Sequence, residues 1–249
     1  MTIASDFSLT AYGGLLKRFS EIGYRFCSFT DVRPAEADLI LRHDIDMSLA
    51  AACEMAEFEA GLDVSSAYFV LVRSPLYNAL SEENATLLER ILSLGHAVGL
   101  HFDAAMYDSD IDALNRAAET ECAVLEGFLG RRIELISLHR PHPVLLGYDE
   151  PIAGRTHSYQ SMYFSDIGYC SDSRGGWHHG HPLDHAAVEK RRALQLLTHP
   201  IWWTGSPGKP EEKLGTYLET ALKNLDEALA HECETHRTGM LRITTGEQD

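Results

Sequence analysis

The stretch Leu39-Ile40-Leu41-Arg42-His43-Asp44-Ile45-Asp46 decides the fold and marks a candidate site. Its apolar first half is typical of a short buried strand. Alternate side chains of a strand share a face, so Asp44 and Asp46 are expected to point the same way from its end. Adjacent carboxylates repel each other, which favours a bound cation or a raised pKa on one of them, as in proton transfer. A solvated pair in a turn is the plain alternative.

A helix is predicted directly after these aspartates. Ser48 has the character of an N-cap, the residues from Leu49 to Ala60 suit a helix, and Gly61 is a typical stop. The carboxylates therefore lie in a strand-to-helix loop. In parallel α/β proteins, that edge of the sheet is where functional sites form.

Composition narrows the class of protein. The chain has 249 residues and a net charge of −16, which argues against nucleic acid and against an anionic membrane surface as partners. The sequence has five cysteines, an odd number, and no CxxC motif, which favours free thiols in a reducing compartment. Neither a signal peptide nor a membrane-spanning run is evident. We expect a cytoplasmic protein without membrane insertion.

Strands and helices alternate along the chain, which predicts an α/β fold with a mostly parallel sheet. Predicted helices cover residues 8–22, 49–60, 81–94, 110–128 and 211–230, with a short one near the end of the irregular stretch 144–167. Predicted strands cover residues 39–45, 66–72, 96–101, 133–138, 167–170, 194–197 and 240–243.

Polar side chains end successive strands of this pattern. The residues concerned are Asp44, Asp46, His101, His139, Arg140, Asp172 and His199. Because the carboxyl ends of parallel strands meet at one edge, these side chains are expected to converge, as they do in barrel enzymes.

The order of these groups resembles the five motifs of the polysaccharide deacetylases of the NodB-homology type, carbohydrate esterase family 4. His-Asp-Ile-Asp at 43–46 is similar to the aspartate motif, and residues 95–101 are similar to the stretch that leads into the histidine motif. The third to fifth motifs are matched by Arg140-Pro141, by Asp172 with Trp177, and by Leu197-Thr198-His199. The match covers roughly residues 38–200 of one predicted domain, 1–249. More narrowly, the chain is similar to deacetylase-like proteins found with bacterial O-antigen biosynthesis genes.

This resemblance implies a distorted (β/α) barrel with about seven strands, and a metal-dependent hydrolase that removes an acetyl group from a sugar. A divalent metal, with zinc as the first candidate, would polarise the acetyl carbonyl and lower the pKa of a bound water molecule. The roles it implies are Asp46 and His101 as metal ligands, Asp44 as general base, Arg140 as the group that holds Asp44 charged and oriented, His199 as general acid, Asp172 as partner of His199 or of Arg140, and Trp177 as pocket wall.

Two positions depart from the family pattern. Ala105 stands where the family has a second metal-binding histidine, so a third ligand must come from Asp103, His139, His157 or a histidine within 178–181, or the site binds metal weakly or not at all. Pro143 stands where the family offers a backbone N–H to the oxyanion, and proline has none. Oxyanion stabilisation would then fall to the metal or to another donor.

The substrate expected from the resemblance is an acetylated sugar, in the form of a nucleotide- or lipid-linked saccharide precursor of a surface polysaccharide. A cytoplasmic chain fits a precursor better than a finished polymer. Two alternatives stay open: a non-catalytic sugar-binding barrel that has lost part of its metal site, and a hydrolase of another C–N bond. Asp44, Arg140, Asp172 and His199 favour the enzyme, whereas Ala105 favours the sugar-binding protein.

Overall fold

The computed structural model describes residues 7–239. These residues belong to two compact units, the first ending at Pro207 and the second beginning at Gly208. The first unit contains the sheet and every candidate site residue. The second contains one long helix, at whose start the backbone N–H of Lys209 donates to the Glu212 carboxylate. The assignment of 1–249 to a single domain stays a prediction, and the strand predicted at 240–243 lies outside the described residues.

Strands and helices alternate as predicted. The strands are β1 (Arg25–Cys27), β2 (Asp38–Ile45), β3 (Ala67–Val70), β4 (Ala97–Phe102), β5 (Leu135–Leu138), β6 (Thr156–His157), β7 (Gly168–Ser171) and β8 (Leu194–Thr198). The α-helices are α1 (Leu9–Glu21), α2 (Leu49–Ala60), α3 (Glu82–Ser93), α4 (Ile111–Leu129), α5 (Ala186–Glu189), α6 (Pro200–Trp203) and α7 (Pro210–Glu232). Among residues 7–239, no helix combines the length and the apolar character that crossing a membrane requires.

Every strand pair in the sheet is parallel. Seven strands follow the order β6-β5-β4-β3-β2-β8-β7, and β1 pairs with the first half of β2. This confirms the predicted α/β class with about seven strands. Between β6 and β7, the two ends of this order, the described residues form no ladder, so the barrel is open. Because all strands run the same way, their carboxyl ends share one edge.

Strand β2 lies in the interior of the sheet, and all eight of its residues are buried. It pairs with β3 on one side and β8 on the other, which explains its nearly continuous apolar character. The charged residues within it therefore need partners inside the protein. On one face Arg42 meets Asp44, and on the other His43 lies between Thr198 and Glu59.

Local sequence signals placed most elements well. Helix α2 has the predicted limits, and the Ser48 hydroxyl accepts from the backbone N–H of Ala51 at 3.1 Å. Strands β1 and β6 were missed because three and two residues are too few to show an alternating pattern. All five cysteines are free thiols; Cys53, Cys122 and Cys170 are buried, Cys27 is half-buried and Cys233 is exposed.

Candidate metal and acid–base site

The predicted site residues lie at the carboxyl edge of the sheet. Asp44 is the next-to-last residue of β2, and Asp46 directly follows that strand. His101 is in β4, His139 follows β5, and the remaining two residues, Asp172 and His199, follow β7 and β8. Parallel pairing brings these ends together although they are far apart in sequence.

Three of these side chains form a candidate metal centre. His101 Nε2 lies 3.1 Å from Asp46 Oδ1, His139 Nδ1 lies 3.3 Å from the same oxygen, and the two ring nitrogens are 3.2 Å apart. All three potential ligand atoms lie within 4.8 Å of one another. Two imidazoles and one carboxylate are a ligand set that catalytic zinc accepts, with a further position open to substrate or water. The residues present therefore fit a divalent cation.

His139 takes the place in this cluster that Ala105 leaves open. Of the other residues considered as a third metal ligand, Asp103 forms an ion pair with Arg140, and His157 Nε2 lies 3.2 Å from the carbonyl oxygen of Glu150. Across residues 7–239, the histidines within 178–181 do not form part of a metal-binding group. The sequence contained the signal for His139, since it directly follows a strand of the sheet.

Asp44 is held as an anion by a buried arginine. Arg42 Nε donates to Asp44 Oδ1 at 2.9 Å and Arg42 Nη2 donates to Oδ2 at 2.7 Å, while both side chains are almost fully buried. Burial works to raise the pKa of Asp44, but the charge of Arg42, with His101 and His199, keeps that pKa below its usual range. Asp44 is therefore an ionised base.

A raised pKa on Asp44 or Asp46 was one of the two ways in which the sequence could accommodate two neighbouring carboxylates, and neither residue has one. Burial would raise the pKa of Asp46, but hydrogen bonds with His101 and His139 keep it well below its usual range. The hydrogen bond with Asp46 raises the pKa of His139 in turn. The repulsion between the two carboxylates is thus relieved by cationic and hydrogen-bonding neighbours.

The structure contradicts the pairing predicted for Arg140. Its Nε donates to Asp103 Oδ1 at 3.0 Å and its Nη2 to Oδ2 at 2.5 Å, and its side chain is 61% exposed. The arginine that holds Asp44 is Arg42, two residues earlier on the same strand. Residues i and i+2 of a strand share a face, so the Arg-x-Asp spacing was the overlooked signal.

His199 and Asp172 form a second polar pair, as one of the two predicted roles of Asp172 requires. His199 Nδ1 lies 2.6 Å from Asp172 Oδ1, and the backbone N–H of His199 also donates to this carboxylate. Burial works to lower the pKa of His199, but Asp172, with Asp46 and Asp44, raises it to about 9. His199 Nε2 lies 3.7 Å from Asp46 Oδ2, so a protonated imidazole borders the candidate metal centre.

Two tryptophans complete this side of the site. Trp203 Nε1 donates to Asp172 Oδ2 at 2.7 Å, a role that sequence reasoning missed. Trp177, the predicted pocket wall, packs on Trp203 with ring centroids 5.9 Å apart and on Phe7 at 6.2 Å. Trp177 therefore supports the residue that holds Asp172.

Comparison with protein-family profiles gives no match for this sequence, and neither does comparison with curated proteins. Some solved structures are similar. A CE4 family pseudoenzyme from Bacillus anthracis is 13% identical, with 77% of this chain and 63% of that chain covered and a TM-score of 0.42. This chain therefore spans less than two thirds of that protein's length.

Two further similar structures are esterases. A CE4 esterase from Streptococcus mutans is 14% identical, with 78% of this chain and 82% of that chain covered and a TM-score of 0.48. A family 4 acetyl xylan esterase from Clostridium thermocellum, in complex with a cobalt ion, is 14% identical, with 78% and 91% covered and a TM-score of 0.40. All three are described as proteins of the family that the motifs resemble. At these identities and TM-scores, the likeness decides nothing about activity.

Proposed function

We propose that the protein is a metal-dependent hydrolase that removes an acetyl group from a sugar. One observation carries the proposal: an ionised base and a protonated imidazole both border the cluster of Asp46, His101 and His139. Asp44 Oδ2 lies 3.6 Å from His101 Nε2, and His199 Nε2 lies 3.7 Å from Asp46 Oδ2. Hydrolysis of an acyl group needs such a base for water and such an acid for the leaving group.

The chain's own groups divide the work as follows. Asp44, kept ionised by Arg42, accepts a proton from the attacking water. His199, kept protonated by Asp172, donates its Nε2 proton to the leaving amine or alkoxide. Asp46, His101 and His139 would hold a divalent cation, zinc by the preference of this ligand set. The chemistry that such a cation supplies is polarisation of the acetyl carbonyl, which also offsets the missing N–H of Pro143.

The choice of substrate rests on the motif resemblance. We propose an acetylated sugar of a nucleotide- or lipid-linked saccharide, a precursor in O-antigen or other surface polysaccharide biosynthesis, handled in the cytoplasm. The site geometry suits any acyl group on nitrogen or oxygen, so hydrolysis of another C–N bond is a defined alternative outcome.

A second candidate function is sugar binding without hydrolysis. Ala105 and Pro143 favour it, because each replaces a group that the family pattern provides. The contacts of His139 oppose it, because they supply a third potential ligand.

Metal content and acetate release test these alternatives together. We expect roughly one equivalent of zinc or a similar metal in the purified protein, and its loss in Asp46→Ala and His139→Ala. His142→Ala, a histidine of the same loop outside the cluster, is the matched control and should keep the metal. Acetate release from acetylated nucleotide sugars should stop in Asp44→Asn. Metal without release of acetate from any acetylated saccharide would favour the binding protein, and absence of metal after loading would refute the hydrolase.

A further inference from the structure

We infer that Ser137 is a positioning residue that places the proton of His101 on Nδ1 and thereby leaves Nε2 bare for a metal ion. The inference rests on the metal site of the proposed function, but it does not require hydrolysis. It concerns a residue that no motif of the sequence pointed to.

Ser137 lies between the proposed base and a proposed metal ligand. It is fully buried in β5, in register with His101 on the neighbouring strand β4. Its Oγ is 2.6 Å from His101 Nδ1 and 3.1 Å from Asp44 Oδ1. Both contacts are within hydrogen-bond distance, and a serine hydroxyl has one proton to donate.

The position of that proton follows from its neighbours. Asp44 is ionised against Arg42, so its oxygen can only accept, and Ser137 must donate to it. The Ser137 oxygen then presents lone pairs to His101 Nδ1, which must carry a hydrogen. The opposite arrangement would set the lone pairs of the hydroxyl and carboxylate oxygens against each other at 3.1 Å.

A second carboxylate competes for the imidazole proton. Asp46 Oδ1 lies 3.1 Å from His101 Nε2 and could accept a hydrogen from that nitrogen. The same oxygen lies 3.3 Å from His139 Nδ1, so His139 can satisfy it instead. The contact at Nδ1 is the shorter one, at 2.6 Å. These contacts favour the Nδ1-protonated form of His101.

The result is a continuous chain of hydrogen bonds from Arg42 through Asp44 and Ser137 to His101. Its members come from β2, β5 and β4, so the sheet itself sets their spacing. Such partners of a metal-binding histidine fix its tautomer and its orientation. One hydroxyl therefore orients the proposed base and a proposed ligand together.

Ser158 provides a matched control. It directly follows β6, in which His157 is in register with Ile136, the residue before Ser137. It is 2% exposed, and within the described part of the chain its hydroxyl has no hydrogen-bond partner. Ser158→Ala thus removes an equally buried hydroxyl without touching the chain from Arg42 to His101.

The test is the tautomer of His101 in metal-free protein. Side-chain ¹⁵N NMR of histidine-labelled protein at about pH 8, above the ordinary imidazole pKa, distinguishes the two neutral forms. The signals are assigned by their loss in His101→Gln. We expect protonated Nδ1 in the wild type and in Ser158→Ala, a shift toward protonated Nε2 in Ser137→Ala, and recovery in Ser137→Thr.

Zinc affinity, measured by competition with a chelator, gives the second readout. Ser137→Ala should bind zinc about 10–100-fold more weakly than the wild type, whereas Ser158→Ala should bind like the wild type. A wild-type His101 protonated on Nε2, or equal weakening by both alanine variants, would overturn the inference. If Ser137→Ala does not fold, the wild-type spectrum alone decides. Because neither readout uses a substrate, failure to release acetate would refute the hydrolase and leave this inference standing.

Discussion

Replacing Arg42 by methionine should destabilise the protein more than the same change at Arg140. The Arg42 side chain is 1% exposed and that of its partner Asp44 is 3% exposed, whereas the Arg140 side chain is 61% exposed. Removing one partner of a buried pair leaves an uncompensated charge and costs about 3–5 kcal/mol. Water reaches the Arg140 guanidinium, so losing its ion pair with Asp103, whose side chain is 9% exposed, should cost less than losing the pair of Arg42 and Asp44. Methionine keeps apolar volume near the rings of Phe69 and Tyr159, which lie 5.8 and 5.4 Å from the guanidinium carbon.

Urea unfolding followed by tryptophan fluorescence measures this difference. With a slope of about 2–3 kcal/mol per molar urea, the midpoint of Arg42→Met should fall by about 1–2.5 M and that of Arg140→Met by clearly less. Adding Asp44→Asn to Arg42→Met removes the orphaned charge and should recover about 1–3 kcal/mol, the usual range of coupling between contacting residues. Equal effects of the two arginine variants, or no recovery in the double variant, would refute the assignment of Arg42 as the partner of Asp44.

Three further predictions concern other parts of the fold. Burial works to raise the pKa of Glu59, but a neighbouring histidine, serine and tyrosine lower it to about 2 from the ordinary 4.5. The ionised Glu59 therefore stabilises the fold fully above pH 4.5, and this stabilisation is lost as the pH falls toward 2. Urea midpoints of the wild type should drop more steeply between pH 5 and 3 than those of Glu59→Gln. Parallel curves for the two proteins would contradict this. A Cβ added at Gly99 would lie 2.6 Å from the Phe69 ring, so Gly99→Ala should cost about 1–3 kcal/mol in thermal unfolding. The control is Gly14→Ala in α1, where an added Cβ would have nothing within 4 Å. This change should be neutral or should stabilise the protein by up to about 1 kcal/mol. If Gly14→Ala destabilises the protein more than Gly99→Ala, the contact with Phe69 is harmless. Under the proposed function, Trp203→Phe should lower kcat roughly tenfold without changing metal content, because the general acid loses a support of its carboxylate partner; an unchanged kcat would reject that role.

Much of the fold was predictable because its signals are local. The limits of α2 follow from Ser48 and Gly61, and an apolar run marks β2 as a buried strand. The same reasoning missed β6, because a two-residue strand has no period of its own and depends on the neighbouring β5. Short elements are determined by their neighbours in space and leave little trace in the sequence.

The sequence by itself determined which chemical groups end the parallel strands, because strand ends and helix starts depend on neighbouring residues. It thereby placed Asp44, Asp46, His101 and His199 at one edge of a sheet. Only the tertiary structure decided which groups touch. It joined Asp44 to Arg42 and left Arg140 with Asp103, grouped His139 with the predicted metal ligands, and set Ser137, 93 residues away in sequence, against Asp44. The physical reason is that a buried charge must find its partner within hydrogen-bond distance, and strand order and register decide which partner that is.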